Sequence, residues 1–416
     1  MHRNRTWLLD QTELRTERNR ISPLGGGDGS TFSWDLTTGS IPPNLEFSRT
    51  GNATYETRTG QVVTVGTDVP RFSQDPSYPG LIIERNGSNT LCHSETFATS
   101  GGTTNWVDSS ISRLATNALA PDLTATALRI QAIGANGTIR QTIASTGSGR
   151  VFSVWIRRVS GTGNIQLSLN NSTYTTLSGV TSTWKRFHIS AASSHTIPSI
   201  RVVALNDTIE IWGAQVEIYQ TSGVATGAAT PTSYIKTTTT GASRAMDFLY
   251  GNSGPSFYAQ LNNGNSVFLK FRGRPSSPST NSGTFFYFEN SSAEGWGADS
   301  GRNYYASTSN AITTGCSFNA AIFSINSGNF FPSSGSVLSD FTSVFTLSKN
   351  EAKSLTTGSG SPGTIVKGSS VTDLTPSDLV MMPLFNDSSI VIPMTLQRIE
   401  VWNYALTDSQ MKDLIP

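Results

Sequence analysis

Apolar residues recur at every second position through several short windows of this chain. In VFSVWIRRV (151–159), Phe152, Val154 and Ile156 fall on one side while Ser153, Trp155 and Arg157 fall on the other. In NIQLSLN (164–170), Ile165, Leu167 and Leu169 alternate with Gln166 and Ser168. A period of two is that of a strand with one face on a core. TWKRFHIS (183–190) continues the pattern, and Gly-Ser-Gly, Gly-Thr-Gly and Asn-Asn turns separate the runs, as hairpin-linked antiparallel strands require. Ile209, Ile211 and Trp212 open a buried strand that breaks at Gly213 and resumes through Val216 and Ile218. The pattern predicts an antiparallel β-sandwich of jelly-roll type over residues 91–248.

The segments on either side read differently. Residues 31–90 carry short strand-like runs cut by Pro42, Pro43, Pro70, Pro76 and Pro79, which predicts a β lead-in wrapped on the sandwich. Residues 1–30 form an arm ending in the flexible joint Gly25-Gly26-Gly27-Asp28-Gly29. In that arm the basic residues Arg3 and Arg5 stand beside Trp7, Leu8 and Leu9, an apolar set too small to hold a core of its own. It reads either as a disordered tail or as an arm that docks through those residues on another subunit. After residues 251–255 a second β unit is predicted over 255–416, with SVFLKFRG, GTFFYFEN, SVFTLSK and IVIPMTLQRIEVWN as strands. Thr407 with Gln410 has capping-box spacing and Leu406 with Met411 has hydrophobic-staple spacing, so a short helix closes the chain.

The 416 residues suffice for two or three domains, and a formal net charge of +1 argues against a nucleic-acid-wrapping surface. Only 14% of residues are charged, while Ser, Thr, Gly and Asn abound, which suits many short strands with tight turns. Cys92 and Cys316 lie too far apart in sequence for a disulfide framework and read as free thiols of a protein folded in a reducing cytoplasm, against an interdomain bridge. No stretch approaches the ~20 apolar residues of a membrane span, and the N-terminus lacks the apolar core of a secretory signal. The sequons at Asn86, Asn136 and Asn171 are therefore expected to stay unmodified.

Catalytic motifs are absent from the sequence: no HExxH, no Cys pair at zinc spacing, no G-x-S-x-G, and His2, His93, His188 and His195 are scattered. His188 falls within a strand and reads as structural. Gly358, Gly360 and Gly363 spell a phosphate-loop pattern that Ser361-Pro362 interrupts, so it reads as a turn. Asp299 and Asp340 fit turn-forming roles rather than a calcium site, and neither a metal nor a cofactor is expected. Sugar binding needs aromatic faces beside amides and carboxylates. Trp296 with Asp299, Arg302, Asn303, Tyr304 and Tyr305 meets that need on a glycine-rich stretch, with the alternative that Trp296 caps the core. Trp155 and Trp212 lie in core strands and read as packing.

PRFSQDPSYPGLIIERNGSNTL (70–91), preceded by PNLEFSRTGNATYETRTGQVV (43–63) and followed by IEIWGAQVE, PTSYI and SRA within 209–245, closely resembles the carbohydrate-binding-module-like sandwiches of tailed-bacteriophage structural proteins. The resemblance spans residues 32–245. LQRIEVWNYALTDSQMKDLI (396–415) resembles the closing strand and helix of concanavalin-like or laminin-G-like sandwiches. Together these imply an all-β chain of two antiparallel sandwiches behind an extended arm. They imply a non-enzymatic virion component, made in a bacterial cytoplasm, that serves as tail fibre, capsid fibre or decoration. Its partners would be other virion subunits through the arm and a host-surface glycan, with neither nucleic acid nor membrane, and a homotrimer as the default assembly. Two rival readings remain: a glycan-active or glycan-binding accessory of a polysaccharide hydrolase, and a purely architectural module.

Overall fold

A computed structural model describes residues 32–42, 45–84, 86–102, 104–115, 118–144, 149–219 and 230–251, then the strands between 265 and 402 and the segment 404–415; over 265–329 it describes backbone alone. The docking residues Arg3, Arg5, Trp7, Leu8 and Leu9, and Trp296 and Asp299 of the expected sugar rim, lie outside the described residues.

The jelly roll is built from β8 (Trp106–Ser109), β9 (Ile111–Leu114), β10 (Leu128–Ala132), β11 (Gly137–Gln141), β12 (Gly149–Ser160), β13 (Ile165–Ser168), β14 (Thr175–Thr176), β15 (Lys185–Ala191), β16 (Ser199–Val202) and β17 (Thr208–Tyr219). Among the described residues they form two five-stranded antiparallel sheets, ordered β15-β12-β17-β10-β9 and β14-β13-β16-β11-β8. Strands β10 to β17 alternate between the two sheets except for β13 and β14, which are neighbours in one, an order that matches the double Greek key of a jelly roll, and β8 and β9 extend its two edges. The core between the sheets gathers Phe152, Val154 and Ile156 of β12, Ile165 and Leu167 of β13, and Ile209, Ile211 and Val216 of β17, as the two-residue alternation predicts. The expected break at Gly213 is a bulge: Gln215 faces Ser153 and Trp212 faces Trp155, so β17 carries an extra residue there. Gly213 has φ +66, and a Cβ on it would lie 2.8 Å from Cε3 of Trp155, so only glycine fits.

The outer face of the sheet containing β12 is covered too. Trp155 and Trp212 pack there with Tyr234, Val62, Ala120 and Ala127, which makes them packing residues, though of a second cluster outside the sandwich core. Their rings and that of Tyr234 lie 4.8–5.5 Å apart in tilted or edge-on contacts.

The lead-in comprises β1 (Phe32–Asp35), β2 (Leu45–Ser48), β3 (Ala53–Glu56), β4 (Val62–Val65), β5 (Phe72–Ser73), β6 (Gly80–Ile83) and β7 (Gly87–Asn89). After the jelly roll come β18 (Ala242–Arg244) and β19 (Phe248–Gly251). The C-terminal part comprises β20 (Asn265–Gly273), β21 (Gly283–Phe288), β22 (Ser300–Ala306), β23 (Ala311–Phe318), β24 (Ala321–Asn329), β25 (Ser339–Ser348), β26 (Glu351–Thr357), β27 (Val366–Ser369) and β28 (Met394–Trp402). It ends in helix α1 (Asp408–Asp413).

The lead-in packs on the jelly roll as expected, through Val62 of β4, and other strands of it reach further, into the C-terminal part. Strands β1 and β6 lie end to end along one edge of β28, Trp34 facing Ile399 and Leu81 facing Leu396, while β20 takes the other edge. They thereby join the eight-stranded sheet of the C-terminal part, whose path runs β27-β26-β25-β20-β28-β6-β5. The prolines cut the lead-in into strands too short to stand alone, and a free edge of a nine-residue strand satisfies their backbone groups. Gly80 permits the approach, since a Cβ there would lie 2.5 Å from the Leu396 carbonyl oxygen. Two further pairs tie the lead-in to the jelly roll's exit, β2 with β19 and β7 with β18. Strands β21 to β24 form a separate four-stranded sheet whose last strand lies against β26 and β27. The predicted helix forms, with Thr407 and Gln410 in a reciprocal capping box and Leu406 and Met411 packed beside Trp402.

Candidate functional site

The motif segments of the sequence meet at one junction. Arg71 of PRF, Glu84 of LIIE, Ser233 of PTSYI and Arg244 of SRA come together around Asp247. Asp247 is fully buried and accepts from Arg49 Nη1 at 3.0 Å, from Arg71 Nη2, and from the Glu84 backbone N–H at 2.8 Å. Glu84 binds Arg71 Nη1 at 2.8 Å, lies 3.4 Å from Arg244 Nη2, and accepts the Ser233 N–H at 2.9 Å. Arg71 Nη1 also reaches the Thr54 carbonyl and the Ser233 hydroxyl, and Arg49 Nη2 caps the carbonyls of Gly66 and Val69. Buried charge survives only when paired and hydrogen-bonded on most of its atoms, and this network meets that condition. Burial pulls the Arg49 guanidinium down, with Asp247 opposing, whereas burial of Arg71 is outweighed by Glu84 and Asp247, which hold it up.

The strip 231–237 is zipped onto β17 by two side chains. Gln215 accepts the Ile235 N–H at 2.6 Å, and Glu217 accepts the N–H and hydroxyl of Thr232 at 2.8 and 2.5 Å. Asn89 completes the seam, donating to the carbonyls of Ala214 and Ile235 and accepting from Leu91 and Val216. Tyr234 then points its hydroxyl to Ser94 at 2.7 Å and to Glu95 at 3.3 Å. Burial pushes the Tyr234 phenol well above its ordinary range, with the Glu95 charge adding to it. Burial likewise raises Glu95, against its 2.6 Å bond to Lys236.

Between this strip, β3, the turn after β5 and the outer face of β12 opens a cleft of about 440 Å³. Its floor is Trp155 and Tyr234, its depth is closed by Arg71 and Glu84, and Thr395 of β28 reaches its wall. Arg186 is held across it by bonds of 2.8 Å to the Thr232 carbonyl and 2.9 Å to Ser153, with its guanidinium 4.5 Å from the Trp155 ring centre. Glu56, Arg58, Gln74 and Asp75 stand exposed on the rim. Partial burial at the mouth raises the Glu56 carboxyl, and Arg186 opposes it. The indole N–H of Trp155 is buried and has no hydrogen-bond partner among the described residues. The inner groups bond one another and form a rigid wall, while the rim groups present donors and acceptors to solvent, an arrangement suited to binding a polar ligand.

Of the residues predicted to bind sugar, Arg302, Asn303, Tyr304 and Tyr305 occupy consecutive positions of β22, opposite Gly315, Thr314, Thr313 and Ile312 of β23. They therefore belong to a strand paired on both sides, with a register shift against β21 opposite Asn303 and Tyr304. None of them lines the cleft. The cleft residues Glu56, Arg71, Glu84, Arg186, Thr232 and Tyr234 were not singled out from sequence, although most stand inside the motif segments. The signal was there in the paired charges Arg71 and Glu84, placed in runs otherwise suited to burial.

No protein-family model matches the chain, and no curated protein matches it. Among solved structures, the NanB sialidase from Streptococcus pneumoniae aligns with 37% of this chain at 15% identity and a TM-score of 0.28. Trypanosoma rangeli sialidase in complex with the inhibitor DANA aligns with 85% at 9% identity and a TM-score of 0.28. The chain spans 24% of the length of the first and 66% of the second. Likeness at this level carries no inference about activity. The fold and the junction define an all-β protein of antiparallel sheets, with a jelly roll at its centre.

Proposed function

We propose that this chain is a non-enzymatic structural component of a tailed-phage particle, docked through its N-terminal arm and displaying β modules for attachment to host-surface glycans. What supports the reading is the junction: the ordered segments that resemble phage carbohydrate-binding-module-like sandwiches are the ones that converge on Asp247 and the cleft. A display module has to hold its shape outside a cell, and a buried ionic clasp joining lead-in, jelly roll and exit strand serves that end. The particle location is tested by electron microscopy of virions labelled with an antibody to this chain. Labelling at regular positions is expected, and particles without label would sink the proposal. Deleting residues 1–20 is expected to leave the β modules folded and to abolish incorporation; truncated protein at wild-type copy number would refute the arm's role. Host polysaccharide incubated with the purified chain is expected to gain no reducing ends, and new ones would place the chain among hydrolases.

A further inference from the structure

We infer that the outer face of the sheet β14-β13-β16-β11-β8 binds an acidic polysaccharide, one with carboxylates on its sugar rings; this rests on the attachment reading and names the class of glycan. Ile139 of β11, Leu167 of β13 and Ile200 of β16 point into the core, so the alternation turns Arg140, Gln166 and Arg201 outward. The other sheet has Trp155, Trp212 and Tyr234 packed on its outer face, whereas here Val107 on one flanking strand and Thr176 on the other stand exposed. The charge on this face is of one sign. Eight arginines lie between residues 106 and 219, and six of them donate hydrogen bonds, four of these to carboxylates. Arg140 and Arg201 have no hydrogen-bond partner among the described residues. Arg201 faces Thr138 and Arg140 faces Ser199, which makes the two arginines diagonal neighbours on adjacent strands. The five strands contain one acid, Asp108, which lies opposite the core residue Ile139 and is held by Arg113 at 2.6 and 2.9 Å. Two like charges side by side without a counter-charge are a cost that a bound anion removes. Arg201 is also held in place, its guanidinium 3.3 Å from the Tyr174 ring centre and the Tyr174 hydroxyl donating to Asn171 at 2.6 Å. A guanidinium fixed in this way matches a carboxylate as a two-pronged donor and loses little freedom on binding. Gln166 donates its amide N–H to Thr176 and keeps its carbonyl oxygen to accept from a ring hydroxyl. An acidic peptide fits less well: an extended peptide adds along a free sheet edge, whereas β13, β16 and β11 are paired on both sides and offer side chains alone.

The test passes the purified full chain over immobilised polygalacturonate, its carboxyl-reduced form and polyglutamate. Retention on polygalacturonate is expected, falling as salt is raised, with retention on the reduced form about tenfold weaker. Val107 is exposed and directly opposite Arg140, so Val107→Glu sets a carboxylate beside that guanidinium; it should lower affinity for polygalacturonate about tenfold with unchanged melting. Arg140→Gln should give a similar loss, and Arg140→Lys should recover part of it. Lys185→Gln removes an exposed cation of the other sheet and should leave retention as it is. Full retention by Val107→Glu and Arg140→Gln, or an equal loss in Lys185→Gln, would overturn the assignment. Equal retention on the reduced form would overturn the acidic class, and stronger retention on polyglutamate would overturn it in favour of an acidic protein partner. If neither polysaccharide retains the chain while it still sediments with host cells, this inference falls and the attachment reading stands; if it does neither, both fall.

Discussion

Asp247→Asn should be the most damaging single-atom change in this molecule. The buried cluster holds three guanidinium groups, Arg49, Arg71 and Arg244, against two carboxylates, Glu84 and Asp247, a net charge of +1. The amide raises that to +2 without changing volume, and its NH₂ group must face a guanidinium or the Glu84 N–H, all donors. Removing one partner of a buried pair costs about 3–5 kcal/mol, which is at least about a fifth of a domain stability of ~5–15 kcal/mol. The loss should also be local. In a guanidinium series followed by hydrogen exchange, protection of the β2–β19 and β5–β6 pairs is expected to fall first, because Arg49, Arg71 and Asp247 flank them. The β12–β17 pair, whose core lies inside the jelly roll, should keep its protection. A loss under about 1 kcal/mol with unchanged exchange at β2 and β6 would refute the view that the junction is an ionic clasp.

Gly80→Ala places a Cβ 2.5 Å from the Leu396 carbonyl oxygen, so β6 must move off β28; a loss of about 1–3 kcal/mol and faster exchange at residues 81–83 are expected, and wild-type exchange there would refute the contact. Thr407→Ala removes the helix cap and should cost about 1 kcal/mol, read as fraying of α1 by hydrogen exchange. Glu210 and Glu95 should show opposite pH dependence. Burial pushes Glu210 up, but its bonds from Arg129 and Arg157 outweigh that and hold it below its ordinary range, so its contribution is present above the ordinary carboxylate value and lost as pH falls through the lowered one. Glu95 is raised, so its contribution is present below the ordinary value and lost as pH rises through the raised one. Urea titrations of Glu210→Gln and Glu95→Gln against wild type from about pH 3 to pH 8 should therefore give slopes of opposite sign. Parallel slopes would contradict both environments.

The jelly roll was legible because alternation is a local property. Phe152, Val154 and Ile156 point to the core through their spacing alone, and the capping box at Thr407 needs only three residues of context. Gly213 was visible as an interruption, though its reason, the face of Trp155, lies on another strand. The partners of the lead-in were not legible. Leu81 and Leu396 pair across more than three hundred positions, and nothing in LIIE or MTLQ distinguishes one free sheet edge from another. The cleft was hidden for the same reason: Glu56, Gln74, Arg186 and Thr232 are ordinary polar residues of separate turns and strands until the junction brings them together. The run from Arg302 to Tyr305 follows a glycine-rich stretch and pairs as a strand, a placement that depends on the partner strands rather than on the run itself.

Buried charge and apolar packing together fix the position of the lead-in. Its strands are two to four residues long, and they bury Trp34, Leu45, Val62, Leu81 and Ile83, so apolar packing already favours one face of each strand. A strand slipped by one residue along β28 would keep its backbone bonds yet turn its side chains to the other face. Arg71 and Glu84 flank β5 and β6, and Arg49 follows β2, so any such slip separates these groups from Asp247 and strands charge in the interior. The clasp thus penalises every wrong register of the lead-in while adding little net stability to the right one. Because Arg71, Glu84 and the backbone of Thr54 also form walls of the cleft, the same registration that seats the lead-in sets the spacing between Glu56 on the rim and Trp155 on the floor. Cleft geometry and strand register are, in this molecule, one constraint.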